Sequence, residues 1–307
     1  MKVFILAVDA LEYEFVKSRS FPSLKQKFYT RVVIPKSCMS IFENGRLSPF
    51  TPVIWASFFT GKLPEEHGVT REKFLNEKWE FSCWNNKFLN SLKRNRIVYN
   101  LYSFMLRHRI LKEGFPEKLG FTKKEIIQES FVDLAEKPVI VRSPLKTSIK
   151  WKVEWKGSGL SEEKIIRSAM NVFERNRKET LEKIESDWDL FITYVKLLDY
   201  IGHLYWGKNE IIERYYGIVE NFAREIQDKL SKETLMIIVS DHGMRLLKGT
   251  KHRGGEHSHH AYASFSHKVC IPQILKITDF YSIISNLLQQ KSDDELIMKE
   301  LKELGYI

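Results

Sequence analysis

Leu235-Met236-Ile237-Ile238-Val239-Ser240-Asp241-His242-Gly243-Met244 is the stretch that decides the fold. Five apolar residues, the last three β-branched, are closed by a serine, an acid, a histidine and a glycine. A run this short, ended by polar residues and glycine, reads as a buried parallel strand. In open α/β sheets, chemistry gathers at the carboxyl ends of strands. Asp241 and His242 stand at such an end. They suit a metal ligand pair and, equally, a plain strand-to-loop turn.

Two other apolar runs end in an acid. Lys2-Val3-Phe4-Ile5-Leu6-Ala7-Val8-Asp9 reads as a central strand. Asp9 then serves either as a ligand or as the N-cap of a helix over 12–17. Trp188 to Asp199 reads as a third strand, with His203 four residues on. One helical turn, or a tight loop, brings Asp199 and His203 to one side. A carboxylate and a neutral imidazole so placed make half of a metal site.

Thr51 precedes Pro52, which predicts an N-cap threonine with proline at the first helical position. That helix runs through Phe59 and stops near Gly61. A hydroxyl at a helix N-terminus lies beside unpaired N–H groups and the positive end of the dipole, a place that attracts a phosphoryl group. A threonine that only caps has the same signature. His67-Gly68 reads as a capping turn. Further on, Glu256-His257-Ser258-His259-His260 carries three histidines that cannot all face one point. A strand here puts His257 and His259 on the same side. With two half-sites upstream, the cluster is read as the source of one more ligand.

Ser161 with Glu162 and Glu163 opens a helix over 161–186, and residues 209–230 form an amphipathic helix. Lys268 to Ile274 looks like a strand, and Asp279 caps a further helix. This strand-then-helix alternation, which marks an α/β protein, is missing from residues 71–159. That span, rich in aromatics and Lys/Arg, reads as an inserted cap, with 1–70 and 160–307 forming a discontinuous core. Within it, Ile97, Leu101, Phe104, His108 and Leu111 fall at helical spacing among arginines. The stripe is core of the cap or, alternatively, a basic face for lipid or nucleic acid. Trp151 to Trp155 alternates like a strand.

A chain of 307 residues with 43% hydrophobic content suits one large domain or a core with an insertion. The net charge of +10 favours anionic ligands such as phosphate esters, nucleic acid or acidic headgroups. No motif indicates nucleic acid. Cys38, Cys83 and Cys270 are odd in number, far apart and without a CxxC pair. That argues against a thiolate zinc site and a disulfide framework, and for a reducing, cytoplasmic setting. The apolar start before Asp9 is too short for a signal-peptide core. No run approaches the length of a transmembrane span.

Three acids at strand ends, two neighbouring histidines and one late histidine give six N/O ligands. Six suffice for two metal ions with three protein ligands each, leaving positions for a nucleophile and a substrate oxygen. Such donors suit zinc, with manganese or iron as alternatives. Two close cations lower the pKa of a coordinated hydroxyl, so Thr51 needs no histidine base. The ordered set is Asp9, Thr51 in Thr-Pro-x-x-Trp-Ala-Ser-x-x-Thr-Gly, Asp199-x-x-x-His203, Ser240-Asp241-His242-Gly243 and a late Gly-Glu-His257. It resembles the alkaline phosphatase superfamily, most of all its type I phosphodiesterase/nucleotide pyrophosphatase branch, over residues 1–70 and 160–265.

The resemblance implies a three-layer α/β/α fold with a mostly parallel central sheet and a small inserted cap. It implies that Asp9, Asp241 and His242 hold one metal, which also binds the Thr51 oxygen. Asp199, His203 and His257 hold the other, with His259 as an alternative last ligand. Thr51 is then transiently phosphorylated or nucleotidylated. The branch usually carries an asparagine on the phosphate where this chain has Thr70-Arg71-Glu72-Lys73; Arg71 or Lys73 takes its place, and Glu72 there repels phosphate. Thr51-Pro-Val-Ile-Trp also lacks the Cys/Ser-x-Pro-x-Arg of sulfatases. The implied activity is two-metal hydrolysis of small anionic phosphodiesters or nucleotide pyrophosphates. A phosphomonoesterase or phosphomutase of the same superfamily is the alternative. A catalytically silent anion- or lipid-binding module is the rival from another class.

Overall fold

The structure, a computed structural model, describes residues 1–41, 46–71, 130–144, 161–247 and 254–289. Strand β1 (Val3–Val8) is buried at every position. Its period of two divides it between two cores. Val3, Ile5 and Ala7 enter one, and Phe4, Leu6 and Val8 enter the other. β6 (Leu190–Val195) and β7 (Leu235–Val239) flank β1 in parallel, with Val3 opposite both Leu190 and Leu235. The six-stranded sheet has the order β2-β10-β7-β1-β6-β5, where β2 is Phe28–Val33, β5 Pro138–Ile140 and β10 His260–Phe265. β10 is antiparallel to both of its neighbours, and β5 joins β6 in parallel.

Strands buried on both faces need helices on both. Helix α3 (Thr51–Thr60) and the helical residues 279–289 cover the first face. Helices α5 (Glu162–Lys183), α6 (Leu197–Tyr205) and α7 (Asn209–Lys229) cover the second. The short helices α1 (Tyr13–Lys17), α2 (Pro22–Lys25) and α4 (Pro64–His67) sit in the connections, as does the antiparallel pair β3 (Met39–Ile41) and β4 (Leu47–Pro49). This is a three-layer α/β/α fold with a mostly parallel sheet.

Three local readings change. β5 comes from within 71–159 and is nevertheless the edge strand of the central sheet. Lys268 to Ile274 forms no strand. Pro272 inside it lacks the N–H a ladder needs, and pairing resumes only at the Val33–Lys276 bridge. The N-cap of α3 is Phe50 rather than Thr51, which becomes the first helical residue. The helical stripe through 97–111 and the Trp151–Trp155 segment lie outside the described residues.

All ten residues of α3 are buried. Trp55, Phe58 and Phe131 form edge-to-face pairs, Trp55–Phe58 at 5.3 Å and Phe58–Phe131 at 5.4 Å. Gly61 closes the helix at φ +67°, its N–H on Ser57 O. His67 anchors α3 from below. Its Nδ1 accepts the Val69 N–H at 3.0 Å, so the ring proton sits on Nε2 and is donated to Ser57 Oγ, also at 3.0 Å. A second proton on Nδ1 would face that N–H. Burial pushes His67 down to about 4. In the unfolded chain the same group titrates near 6.5, so unfolding takes up a proton between these values. Stability is therefore complete above pH ~6.5 and falls as pH drops toward 4, by about 3 kcal/mol at full shift. His67→Gln is expected to flatten that segment of the profile in urea titrations. Parallel profiles for the two proteins would refute the assignment.

Candidate metal centre and active site

The site forms beyond the carboxyl ends of β1, β6 and β7. Asp9 follows β1 directly, its N–H on Val195 O at 2.8 Å. It is not a helix cap: α1 is capped by Glu12, whose carboxylate accepts the Glu14 N–H. Asp241 and His242 follow β7, held by Ser240 Oγ, which donates to Leu11 O and accepts the Tyr262 N–H. Gly243 lets the turn pass Glu12, since a Cβ there would fall 1.9 Å from Glu12 Oε2. Asp199 and His203 lie one turn apart on α6, so the helical alternative holds. Thr51 opens α3, and the hairpin of β8 (Met244–Leu246) and β9 (Gly255–His257) carries His257. Asp9, Asp241 and His242 are fully buried.

Each histidine of this set is oriented by its backbone contact. His203 Nδ1 lies 3.0 Å from Gly255 O, His242 Nδ1 3.0 Å from Gly243 O and His257 Nδ1 3.1 Å from Pro49 O. A carbonyl only accepts, so each Nδ1 carries a proton and each Nε2 is the atom turned inward, an acceptor when the ring is neutral. Against the effect of burial, the neighbouring Asp199 favours the charged form of His203. His203 Nε2 and His257 Nε2 face one another at 3.0 Å. Asp199 Oδ1 lies 3.2 Å from the first and 3.4 Å from the second. His242 Nε2 lies 3.3 Å from Asp9 Oδ1, 3.3 Å from Asp241 Oδ2 and 3.1 Å from Thr51 Oγ1. Asp9 Oδ1, Asp199 Oδ1 and both Asp241 oxygens are buried without a hydrogen-bond partner. The histidine nitrogens and Thr51 hydrogen-bond in pairs, His203 to His257 and His242 to Thr51, while these carboxylate oxygens converge on them without a hydrogen bond. Four tetrahedral ligands at about 2.0–2.1 Å from zinc are about 3.3 Å apart, the spacing seen in both groups. Ligand atoms of Asp9, Asp241 and His242 all lie within 4.8 Å of one another, as do those of Asp199, His242 and His257. His242 thus stands between two adjacent positions, its ring stacked on that of His257 at 3.6 Å. The residues fit two divalent ions.

The electrostatics agree. Burial, then the Asp9 charge, pushes the Asp241 carboxyl well above its usual range. Burial likewise raises Asp9, against the pull of Lys196. Burial acts on Asp199 too, yet Lys196 and His203 overcome it and hold that carboxyl well below its usual range. Burial and the neighbouring His257 keep His242 neutral, as a ligand must be. Three buried acids beside one lysine are a poor arrangement until cations join them.

The other expected positions separate. His259 is exposed, its Nε2 on Leu47 O at 3.1 Å. His260 pairs with Glu12 at 2.7 Å. Arg71 is half-buried just past α4, and Lys73 lies outside the described residues. Sequence reasoning passed over Glu12, which also holds the Met244 N–H and Ser258 Oγ through Oε2. It passed over Tyr194, which donates to Asp9 Oδ2 at 2.5 Å, and Lys196, which donates to the same oxygen at 2.8 Å. A lone lysine in the apolar run up to Leu198 was the available signal.

The family model described as Type I phosphodiesterase / nucleotide pyrophosphatase matches residues 3–261. The chain belongs to this family. The type I phosphodiesterase/nucleotide pyrophosphatase assignment covers the whole set of converging side chains. The solved structure of human ectonucleotide pyrophosphatase/phosphodiesterase 5 shares the fold, with a TM-score of 0.52 at 10% identity, over 94% of this chain and 95% of that one. Among curated proteins, GPI ethanolamine phosphate transferase 3 of Eremothecium gossypii is 28% identical over 60 residues, 20% of this chain and 6% of that protein. GPI ethanolamine phosphate transferase 2 of Kluyveromyces lactis is 30% identical over 60 residues, 20% of this chain and 8% of that protein. The matched stretch is thus under a tenth of either relative's length. Among the described residues, no helix is long and apolar enough to cross a membrane.

Proposed function

We propose that this protein is a two-metal phosphoester hydrolase acting on phosphodiesters or nucleotide pyrophosphates through a Thr51-bound intermediate. The observation that carries the reading is the convergence of His203 Nε2 and His257 Nε2, 3.0 Å apart, on one Asp199 oxygen 3.2 and 3.4 Å from them. Two imidazole nitrogens that close need a proton or a metal ion between them, and a carboxylate on the same point suits the metal ion. Asp199, His203 and His257 would hold one ion; Asp9, Asp241 and His242 would hold the other, beside Thr51. Zinc suits these donors, with manganese as the alternative. When bound, such ions act as Lewis acids, drawing charge from phosphoryl oxygens and lowering the pKa of a hydroxyl.

Thr51 supplies the nucleophile from the positive end of the α3 dipole. Its Oγ1 bonds to phosphorus as the bond to the leaving oxygen breaks, and the electron pair departs with that oxygen. The hydroxyl proton passes to solvent, and the leaving oxygen takes one up. Water then attacks the same phosphorus, breaking the bond to Oγ1 and restoring Thr51. His242, kept neutral by burial and by His257, would hold its ion beside Oγ1. Arg71 and Lys73 are proposed to meet the phosphoryl oxygens, and residues 71–159 to shape the leaving-group side. The cytoplasmic setting also remains part of the proposal.

Metal-depleted and zinc-reconstituted protein should be tested on bis-p-nitrophenyl phosphate, p-nitrophenyl phosphate and a nucleotide pyrophosphate. Turnover of the diester or the pyrophosphate above the monoester is expected, with near two zinc ions per chain. A clear monoester preference would move the reading to a phosphomonoesterase. Neither zinc nor turnover would leave a silent anion-binding module. The similarity to ethanolamine phosphate transferases favours one second reading, in which an alcohol replaces water as acceptor. Adding ethanolamine or glycerol and looking for their phosphate esters tests it.

A further inference from the structure

We propose that Lys196 is a positioning residue that ties the two half-sites together, an inference that rests on the two-metal reading above. Lys196 Nζ lies 2.8 Å from Asp9 Oδ2 and 3.3 Å from Asp199 Oδ2. These two aspartates belong to different half-sites. In each, the oxygen that Lys196 holds is Oδ2, and the oxygen left without a hydrogen bond is Oδ1. Asp9 Oδ1 faces His242 Nε2 and Asp199 Oδ1 faces His203 and His257. A carboxylate pinned at one oxygen has the direction of the other fixed. One ammonium group therefore aims two ligand oxygens at two ion positions. Tyr194 offers the internal comparison, because it donates to Asp9 Oδ2, in one half-site.

The alternative role for Lys196 is a counter-charge that makes three buried acids tolerable. The two roles predict opposite signs. A cation beside metal ligands repels an incoming ion, so a pure counter-charge would weaken binding, and its removal would tighten both positions. A positioning group is lost together with the alignment it provides. Removing an outer partner of a ligand commonly weakens metal binding by about 10–100-fold.

The test is zinc titration of the full chain against a competing chelator, with folding checked by circular dichroism. Lys196→Met is expected to weaken both zinc positions by about 10–100-fold. Tyr194→Phe is expected to weaken one position and leave the other within about threefold of the parent, on the same scale of outer-partner effects. Lys196→Arg, which keeps the charge and offers two donors, should recover most of the loss. Should Lys196→Met fail to fold, Lys196→Gln is read in its place, with weakening at both positions again required. Unchanged or tighter zinc binding in these variants would overturn the proposal, and so would a Tyr194→Phe protein weakened equally at both positions. A parent protein that binds no zinc would overturn the two-metal reading itself, which keeps the two failures distinct.

Discussion

Thr51→Ala is expected to lower turnover by about 10⁴–10⁶-fold, the scale on which loss of a covalent nucleophile is usually felt, while zinc content stays at its parental level. The oxygen removed is the one 3.1 Å from His242 Nε2 at the first turn of α3. Asp9, Asp241 and His242 remain to hold their ion, so zinc affinity by chelator competition should move by less than about tenfold, the low end of the cost of losing a supporting group. The helix itself should survive. Phe50, not Thr51, is its cap residue, and alanine is a good helix former. Thr51→Ser keeps the hydroxyl and should retain measurable activity. The pair of outcomes separates a nucleophile from a residue that only shapes the helix start. Parental rates in the alanine protein would end the assignment of Thr51.

Why the sequence showed the acids but not their partners follows from where each residue sits. A strand buried on both faces admits charged residues only past its end, so Asp9 and Asp241 stood out against their runs. The run Leu235–Val239 is β7 residue for residue. Asp199 was equally visible, although it lies inside α6 and not at the strand's own end. The histidine cluster was harder. Alternation put His257 and His259 on one side, but β9 ends at His257 and β10 begins at His260. No pleat runs through Ser258, so the period of two does not carry across it. Only His257 reaches Asp199. Lys196, Tyr194 and Glu12 were missed because their task exists only after folding. Lys196 reaches Asp9 from β1 across 187 positions of sequence, and Glu12 reaches His260 across 248. Pattern reads one element at a time, whereas these contacts belong to three.

Stripping metal from the protein is expected to lower its unfolding temperature by on the order of 10 °C. An ion present at a thousandfold above its dissociation constant stabilises the folded state by about 4 kcal/mol, so two contribute about 8. In a domain larger than 200 residues each kcal/mol moves the midpoint by about 2 °C or less. The cause is the buried acids: Asp241 has both oxygens buried without a partner, and an unpaired carboxylate in that setting is expensive. The same buried charge leads to a second result with a change of sign. An amide costs less to bury than a carboxylate, so Asp241→Asn should leave the metal-free protein as stable as the metal-free parent or more so. The same variant should lose up to about half of the gain when zinc is restored, because one of the two positions is short of a ligand. Differential scanning calorimetry of both proteins, with chelator and with zinc, reads the crossing directly. If chelation leaves the midpoint of the parent unchanged, or if Asp241→Asn is destabilised equally in both states, the carboxylates are held by something other than metal.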